Sequence, residues 1–246
     1  MNAPVLTQDN LLFTVQTPLG KDQLLFNRLQ GEETLNGLFH FHLEMHSESK
    51  ELDFEGVVGK NITVKVEFAP SHVRYFNGVV TRFVQGGTFV HPASRARLTV
   101  YHAELRPWLW QLTLTKNCRI FQNLSVPKIL TKVFDELGFT DYRQSLIYFY
   151  EKRVYCVQYE ETAFNFVCSI MEDEGIFYFF EHEEERRVLV IADDLGVHQP
   201  GPGINAIKLG NWLGGEQRGW VRGRTRRFAP TKPSLCWGEP MCLPLT

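Results

Sequence analysis

The chain has 246 residues, 43% of them apolar and 22% charged, which suits one large or two ordinary globular domains with real cores and excludes a disordered chain. Twenty-six basic against twenty-eight acidic residues leave a formal net charge of −2, so there is no electrostatic drive toward nucleic acid or an anionic membrane lipid, and protein partners fit better. Nineteen Phe, eight Tyr and five Trp, mostly in short runs with Val, Ile and Thr, point to a β-rich α+β class.

Met1-Asn2-Ala3-Pro4 carries neither a basic leader nor an apolar h-region, and no stretch reaches the roughly 20 apolar residues of a membrane span, so a cytosolic start is expected. From about Leu11 to Leu114 the chain reads as short strands separated by Gly, Pro, Asn and His turns. The clearest runs from Phe39 to Met45, where Phe39, Phe41, Leu43 and Met45 alternate with His40, His42, Glu44 and His46 in the period-two pattern of a half-buried strand. Ile62, Val64, Val66 and Phe68 repeat it. Arg74 to Val84 is a further strand with Gly78 placed for a bulge or a close backbone approach, ended by Gly86-Gly87, and Arg97 to Leu105 is another. Residues 8–118 are thus expected to curl into a first β-barrel domain.

At Ser125-Val126-Pro127 the period changes. Ser125 suits an N-cap, Pro127 a first helical turn, and Ile129, Leu130, Val133, Phe134 and Leu137 share one helical face that Gly138 stops. A second helix is expected from Thr162, turning Phe166, Val167, Ile170 and Met171 inward; its acidic end, Glu172-Asp173-Glu174 before Gly175, opposes the helix dipole and calls for a cationic neighbour. Arg153 to Tyr159 reads as a strand. Ile176 to Phe180 is apolar on both faces, which requires cover on both sides; a charged turn, His182 to Arg186, leads to a returning strand, Arg187 to Ala192. Residues 119–205 therefore form a helix-containing region with part of a second barrel. Residues 206–246, rich in Gly, Pro and Arg and without a readable period, are expected to be a poorly ordered, solvated tail.

Candidate chemistry is sparse. His40, His42, Glu44 and His46 would project from one strand face, close enough for several to approach one ion, but a cleanly apolar opposite face explains them as the wet side of an antiparallel strand. No metal, cofactor or catalytic residue is assigned. Glu172, Asp173 and Glu174 with Asp193 and Asp194 could form an acid–base pair, yet charged element ends are common solvated features. His182 with Glu183 to Glu185 fails the zinc spacing HExxH because Arg186 stands where the second His is needed. Gly201-Pro202-Gly203 is followed by no helix that would cradle phosphate, and no nucleophile motif occurs. Cys118, Cys156, Cys168, Cys236 and Cys242 contain no CxxC pair and read as buried free thiols.

The run from Tyr155 to Phe166, containing Gln158-Tyr159-Glu160-Glu161-Thr162, and the run Met171-Glu172-Asp173-Glu174-Gly175-Ile176 closely resemble the signature of the VgrG (valine-glycine repeat protein G) spike family of type VI secretion. Val57-Val58-Gly59-Lys60, Phe76 to Val80, Leu105 to Leu112 and Arg119 to Val126 extend the likeness, which covers about Leu11 to Asp194. It implies a hub like that of a contractile phage tail: two related β-barrel domains per subunit and a homotrimer whose pseudo-sixfold ring caps a hexameric, Hcp-like tube protein. Baseplate components and effectors are further implied partners. A structural role with no cofactor, and export by the type VI system without a signal peptide, go with it. The aromatics at Trp108 to Trp110 and Phe177 to Phe180 would be core or intersubunit. Family members continue into the rest of the second barrel, an oligonucleotide/oligosaccharide-binding-like domain and a β-helical needle, whereas this sequence departs from the pattern after about Pro200. A truncated, non-assembling remnant and a phage tail hub protein therefore stay open as alternatives, as does a metal-dependent enzyme built on the histidine strand.

Overall fold

The structure, a computed structural model, describes residues 6–69, 72–197, 206–208 and 220–222. Strands β1 (Phe13–Gln16), β2 (Leu25–Glu32), β3 (His40–Ser47), β4 (Asn61–Ala69), β5 (His72–Val90) and β6 (Arg97–Arg106) form one antiparallel sheet in the order β1-β4-β5-β6-β3-β2. The alternation in β3 decides its register. Phe41, Leu43 and Met45 are buried and lie opposite Leu105, Ala103 and Tyr101 of β6, while Ile62 and Val64 of β4 line the same core. A slip of one residue would expose all of them at once. Gly78 marks a close approach, since a Cβ there would lie 2.8 Å from the Leu105 Cβ. The Gly86-Gly87 pair, expected to end a strand, instead sits within β5, where the pairing with β6 shifts between Gln85 and Thr88. The missing side chains let the backbone bulge without leaving the sheet.

The sheet curls until its edge strands meet. Phe13 of β1 stacks on Phe26 of β2 with ring centroids 5.3 Å apart. The buried Gln8 amide bridges the two edges: Oε1 accepts from the amides of Val15 (2.8 Å) and Phe26 (3.2 Å), and Nε2 donates to the carbonyls of Val15 (3.2 Å) and Leu24 (3.3 Å). One side chain thus satisfies backbone groups that an open sheet edge would leave unpaired.

Beyond β6 come a 3-10 turn (Trp108–Thr113), β7 (Lys116–Leu124), α1 (Val126–Glu136), β8 (Tyr142–Ser145), β9 (Arg153–Thr162), α2 (Ala163–Asp173), β10 (Phe177–His182) and β11 (Arg187–Ala192). Strands β7 and β9 pair as an antiparallel ribbon; β10, β11 and β8 form a second small sheet in that order, with β8 parallel to β11. Among the described residues these strands do not close a second barrel. In α1, Ile129, Leu130, Val133 and Phe134 are buried as the periodicity requires, but Leu137 sits at the C-cap and is 42% exposed. Gly138 follows at φ +73°, ending the helix. Thr162 caps α2, its hydroxyl accepting from the Asn165 amide at 3.1 Å. The cationic neighbour called for by the acidic end of α2 is Arg153, whose guanidinium donates to Glu174 at 2.8 Å and to Asp173 at 3.4 Å. The strand covered on both faces is β11, with all six residues buried, rather than β10, where Phe177 and Phe179 stay half-exposed.

Within the compact unit Met1–Ile204, a buried polar joint fastens β5 to β10 and β11. Arg187 donates to Asn61 Oδ1 at 2.7 Å and to Asn77 Oδ1 at 3.1 Å, the Asn77 side chain donates to Thr63 Oγ1, and the Asn77 amide donates to His182 Nδ1 at 2.9 Å. Burial lowers the Arg187 pKa to about 10. Nearby, Asn36 and Tyr178 exchange two bonds, one to the Asn36 side chain (2.8 Å) and one from its amide (3.0 Å). His182 belongs to this joint and not to a surface turn; the turn is Glu183 to Arg186. Residues 205–246 form a separate unit in which β12 (Ala206–Lys208) and β13 (Trp220–Arg222) pair antiparallel, and the rest of the expected disordered tail lies outside the described residues. No described helix is long and apolar enough to cross a membrane. Cys156 is buried and Cys168 half-buried, as free thiols should be, but Cys118 is exposed because β7 alternates outward there; Cys236 and Cys242 lie outside the described residues.

The bridging amide yields a direct test. Gln8→Ala leaves the Val15 and Phe26 amides without their buried acceptor and is expected to lower unfolding free energy by about 1–3 kcal/mol in chemical denaturation. A midpoint unchanged from wild type would show that the edges are held by packing alone.

Candidate functional site

Two surfaces stand out from the fold. The first is the β7–β9 ribbon. One face turns inward, with Phe121 stacked on Phe166 of α2 at 5.4 Å and Cys156 and Gln158 buried beside it. Strand alternation then forces the other face out, carrying Ile120, Tyr155, Val157 and Tyr159; Ile120 and Val157 are direct cross-strand partners, and Tyr159 is 70% exposed. Neither strand has a further hydrogen-bonded neighbour among the described residues, so an apolar face and two open edges coincide. Such a combination marks an interaction surface.

The segment just before β9 adds to it. Ile147, Tyr148 and Phe149 are exposed, Phe149 to 89%, yet the loop is held by one carboxylate. Asp193 accepts from the amides of Ile147 (3.0 Å) and Tyr148 (2.9 Å) and from the Tyr150 hydroxyl (2.8 Å). Burial works to raise the Asp193 pKa, but the Tyr148 and Ile147 amides and the Tyr150 hydroxyl outweigh it and hold the carboxyl below its ordinary value. Burial and then Asp193 push the Tyr150 hydroxyl the other way, so it remains a donor.

The second surface is the polar face of the six-stranded sheet. His42 lies opposite Glu104 and Glu44 opposite His102, in a shallow depression of about 300 Å³ that Arg28 and Arg82 also line. His40 Nε2 is 3.3 Å from Glu104 Oε2, and Arg82 donates to Glu104 Oε1 at 3.2 Å. Burial, then Arg106 and His42, lower the His40 pKa against the pull of Glu104. The four residues singled out on β3 therefore do not converge on one point. His40 and His42 turn to Glu104, while Glu44 faces His46 and His102, each at 3.8 Å. Glu104 and His102 escaped the sequence reading because their role depends on cross-strand register; their only local signal is a His-x-Glu pair on the polar face of β6.

The remaining sequence candidates are engaged elsewhere. Asp173 and Glu174 bind Arg153, and Asp193 holds the 147–150 loop, so the possible acid–base pair does not assemble as one. Burial raises the Cys168 thiol to about 11. Gly201-Pro202-Gly203 lies outside the described residues. Trp108 is core, stacked on Phe139 at 4.3 Å, and Tyr178 and Phe180 are buried as well.

Loss of the Asp193 charge should release the exposed loop. Asp193→Ala is expected to speed chymotryptic cleavage at Tyr148 and Phe149 several-fold at pH 7, and an unchanged rate would exclude the carboxylate as the anchor. Because the folded pKa is depressed, the contribution is complete above the unfolded carboxylate value of about 4 and disappears as pH falls through the lower folded one. Amide protection of Ile147 and Tyr148, corrected for intrinsic exchange, should hold from pH 7 to about 5 and fall below about 4.

Residues 32–219 match the family model of the phage tail baseplate hub (GPD). Two Pseudomonas aeruginosa type VI secretion system spike proteins, VgrG1b and VgrG1a, are 41% identical over 202 residues and 42% identical over 196 residues, covering 82% and 80% of this chain. The chain spans only 26% and 30% of their lengths. A solved E. coli component of the type VI secretion system, which exhibits structural similarity to the T4 bacteriophage tail proteins gp27 and gp5, superposes with a TM-score of 0.64 at 21% identity. That likeness covers 76% of this chain and 51% of that one and supports the same fold. With a curled antiparallel sheet, a helix-bearing second part and a family match over most of its length, the chain belongs to the phage tail baseplate hub (GPD) family.

Proposed function

We propose that this chain is the hub region of a type VI secretion spike, a non-enzymatic part whose work is to assemble. Three copies would form a ring that caps a hexameric tube, docks baseplate components and effectors, and leaves the cytosol with the spike. The observation that carries the reading is the outward apolar face of the β7–β9 ribbon, where Ile120, Tyr155, Val157 and Tyr159 stay exposed beside two strand edges that have no further partner among the described residues. Burying a large apolar side chain contributes about 1.5–3 kcal/mol, so four on one ribbon can supply the apolar centre of a subunit contact. The sequence similarity to VgrG spike proteins supports the system in which the ring works.

Light scattering coupled to size-exclusion chromatography tests this. A mass near three subunits is expected, and Val157→Asp with Tyr159→Asp should reduce it to one subunit without loss of circular dichroism signal. A monomer at every concentration would sink autonomous ring assembly, and a trimer unaffected by the double variant would place the contact elsewhere.

A further inference from the structure

We propose that His40, His42 and Glu104 bind one divalent transition-metal ion of the zinc class, through two imidazole nitrogens and one carboxylate oxygen. His40 and His42 stand two residues apart on β3, so strand geometry places both on one face, and their ring centroids are 4.3 Å apart. Glu104 is the direct cross-strand partner of His42 on β6, and one ligand atom from each of the three lies within 4.8 Å of the others.

The distances are compatible with a metal. Zinc bonds to nitrogen and oxygen are about 2.0–2.1 Å, which puts two tetrahedral ligands about 3.3 Å from each other. His40 Nε2 and Glu104 Oε2 share a hydrogen bond at 3.3 Å, which is also the length of a tetrahedral edge, so an ion can take the place of the shared proton with little movement. His42 is exposed, and rotation of its ring can bring the third nitrogen in without disturbing the core. Arg82 engages Oε1 of Glu104 while Oε2 faces His40, which orients the ligating oxygen in the manner of an outer-shell partner. Two imidazoles and a carboxylate suit Zn²⁺ and related ions over Mg²⁺ or Ca²⁺, and leave a coordination position open to water or to a partner's side chain.

The full chain, stripped with chelator and desalted, is titrated with Zn²⁺ by calorimetry and with Co²⁺ by absorption. Wild type should take up one equivalent, with a cobalt spectrum lacking a thiolate charge-transfer band, which excludes the exposed Cys118. His42→Ala and Glu104→Gln should each weaken binding about tenfold or more. His102→Ala, on the same face but outside the triad, should bind as wild type does. Absence of saturable one-equivalent binding, binding unchanged in His42→Ala, or an equal loss in His102→Ala would each overturn the site.

Discussion

The polar joint around Asn77 is the constraint on which the rest of the structure depends. Asn77 is fully buried on β5, and its backbone and side chain together meet Thr63 of the same sheet and His182 and Arg187 from the second part of the chain. A buried guanidinium is costly unless its N–H groups find acceptors, and removal of Asn61 or Asn77 takes away one of the acceptors of Arg187. The joint therefore ties the two parts together. Packing reinforces this, for the His182 ring lies 5.0 Å from that of Phe39 and 5.9 Å from that of Phe41. Apart from this joint, β7 and β9 pair with each other and, among the described residues, with no other strand.

That pairing is what the proposed assembly would use. A two-stranded ribbon is marginally stable alone, and here one face is secured by Phe121 on Phe166 while the other is committed to solvent or to another chain. The neighbouring loop is equally exposed at its tip but pinned at its base by Asp193, which keeps Tyr148 and Phe149 in a fixed arrangement before any contact is made. Preorganised apolar surface reduces the ordering entropy that association must overcome.

How much of this could be seen in the sequence follows from the range of each interaction. Period-two alternation in β3 and the 3.6-residue face of α1 are local, and both placed their buried residues correctly; the acidic end of α2 likewise announced the need for Arg153. Leu137 and the Gly86-Gly87 pair were misjudged because a helix end and a bulge depend on neighbours outside the segment. His182 read as a turn residue because nothing within its own strand reveals Asn77, 105 positions earlier. Gln8 carried no signal at all, since an amide that bridges two strand edges obeys no periodicity. Family motifs indicated the hub fold, but the histidine face came into view only when β6 was laid against β3.

That same pairing has a consequence for how the chain reaches its native state. Strands β2 and β3 form one local hairpin and β4, β5 and β6 a local meander, whereas the seam between β3 and β6 joins Phe41 to Leu105, residues separated in sequence by β4 and β5. Contacts so distant in sequence pay their closure entropy before they return any stability, and they are formed late and slowly. His40 and His42 lie on one side of that seam and Glu104 on the other. A nascent chain with both local units folded would hold every histidine on its proper strand and still lack the triad, so an ion that recognises the three together would favour the correctly zipped seam over any shifted alignment.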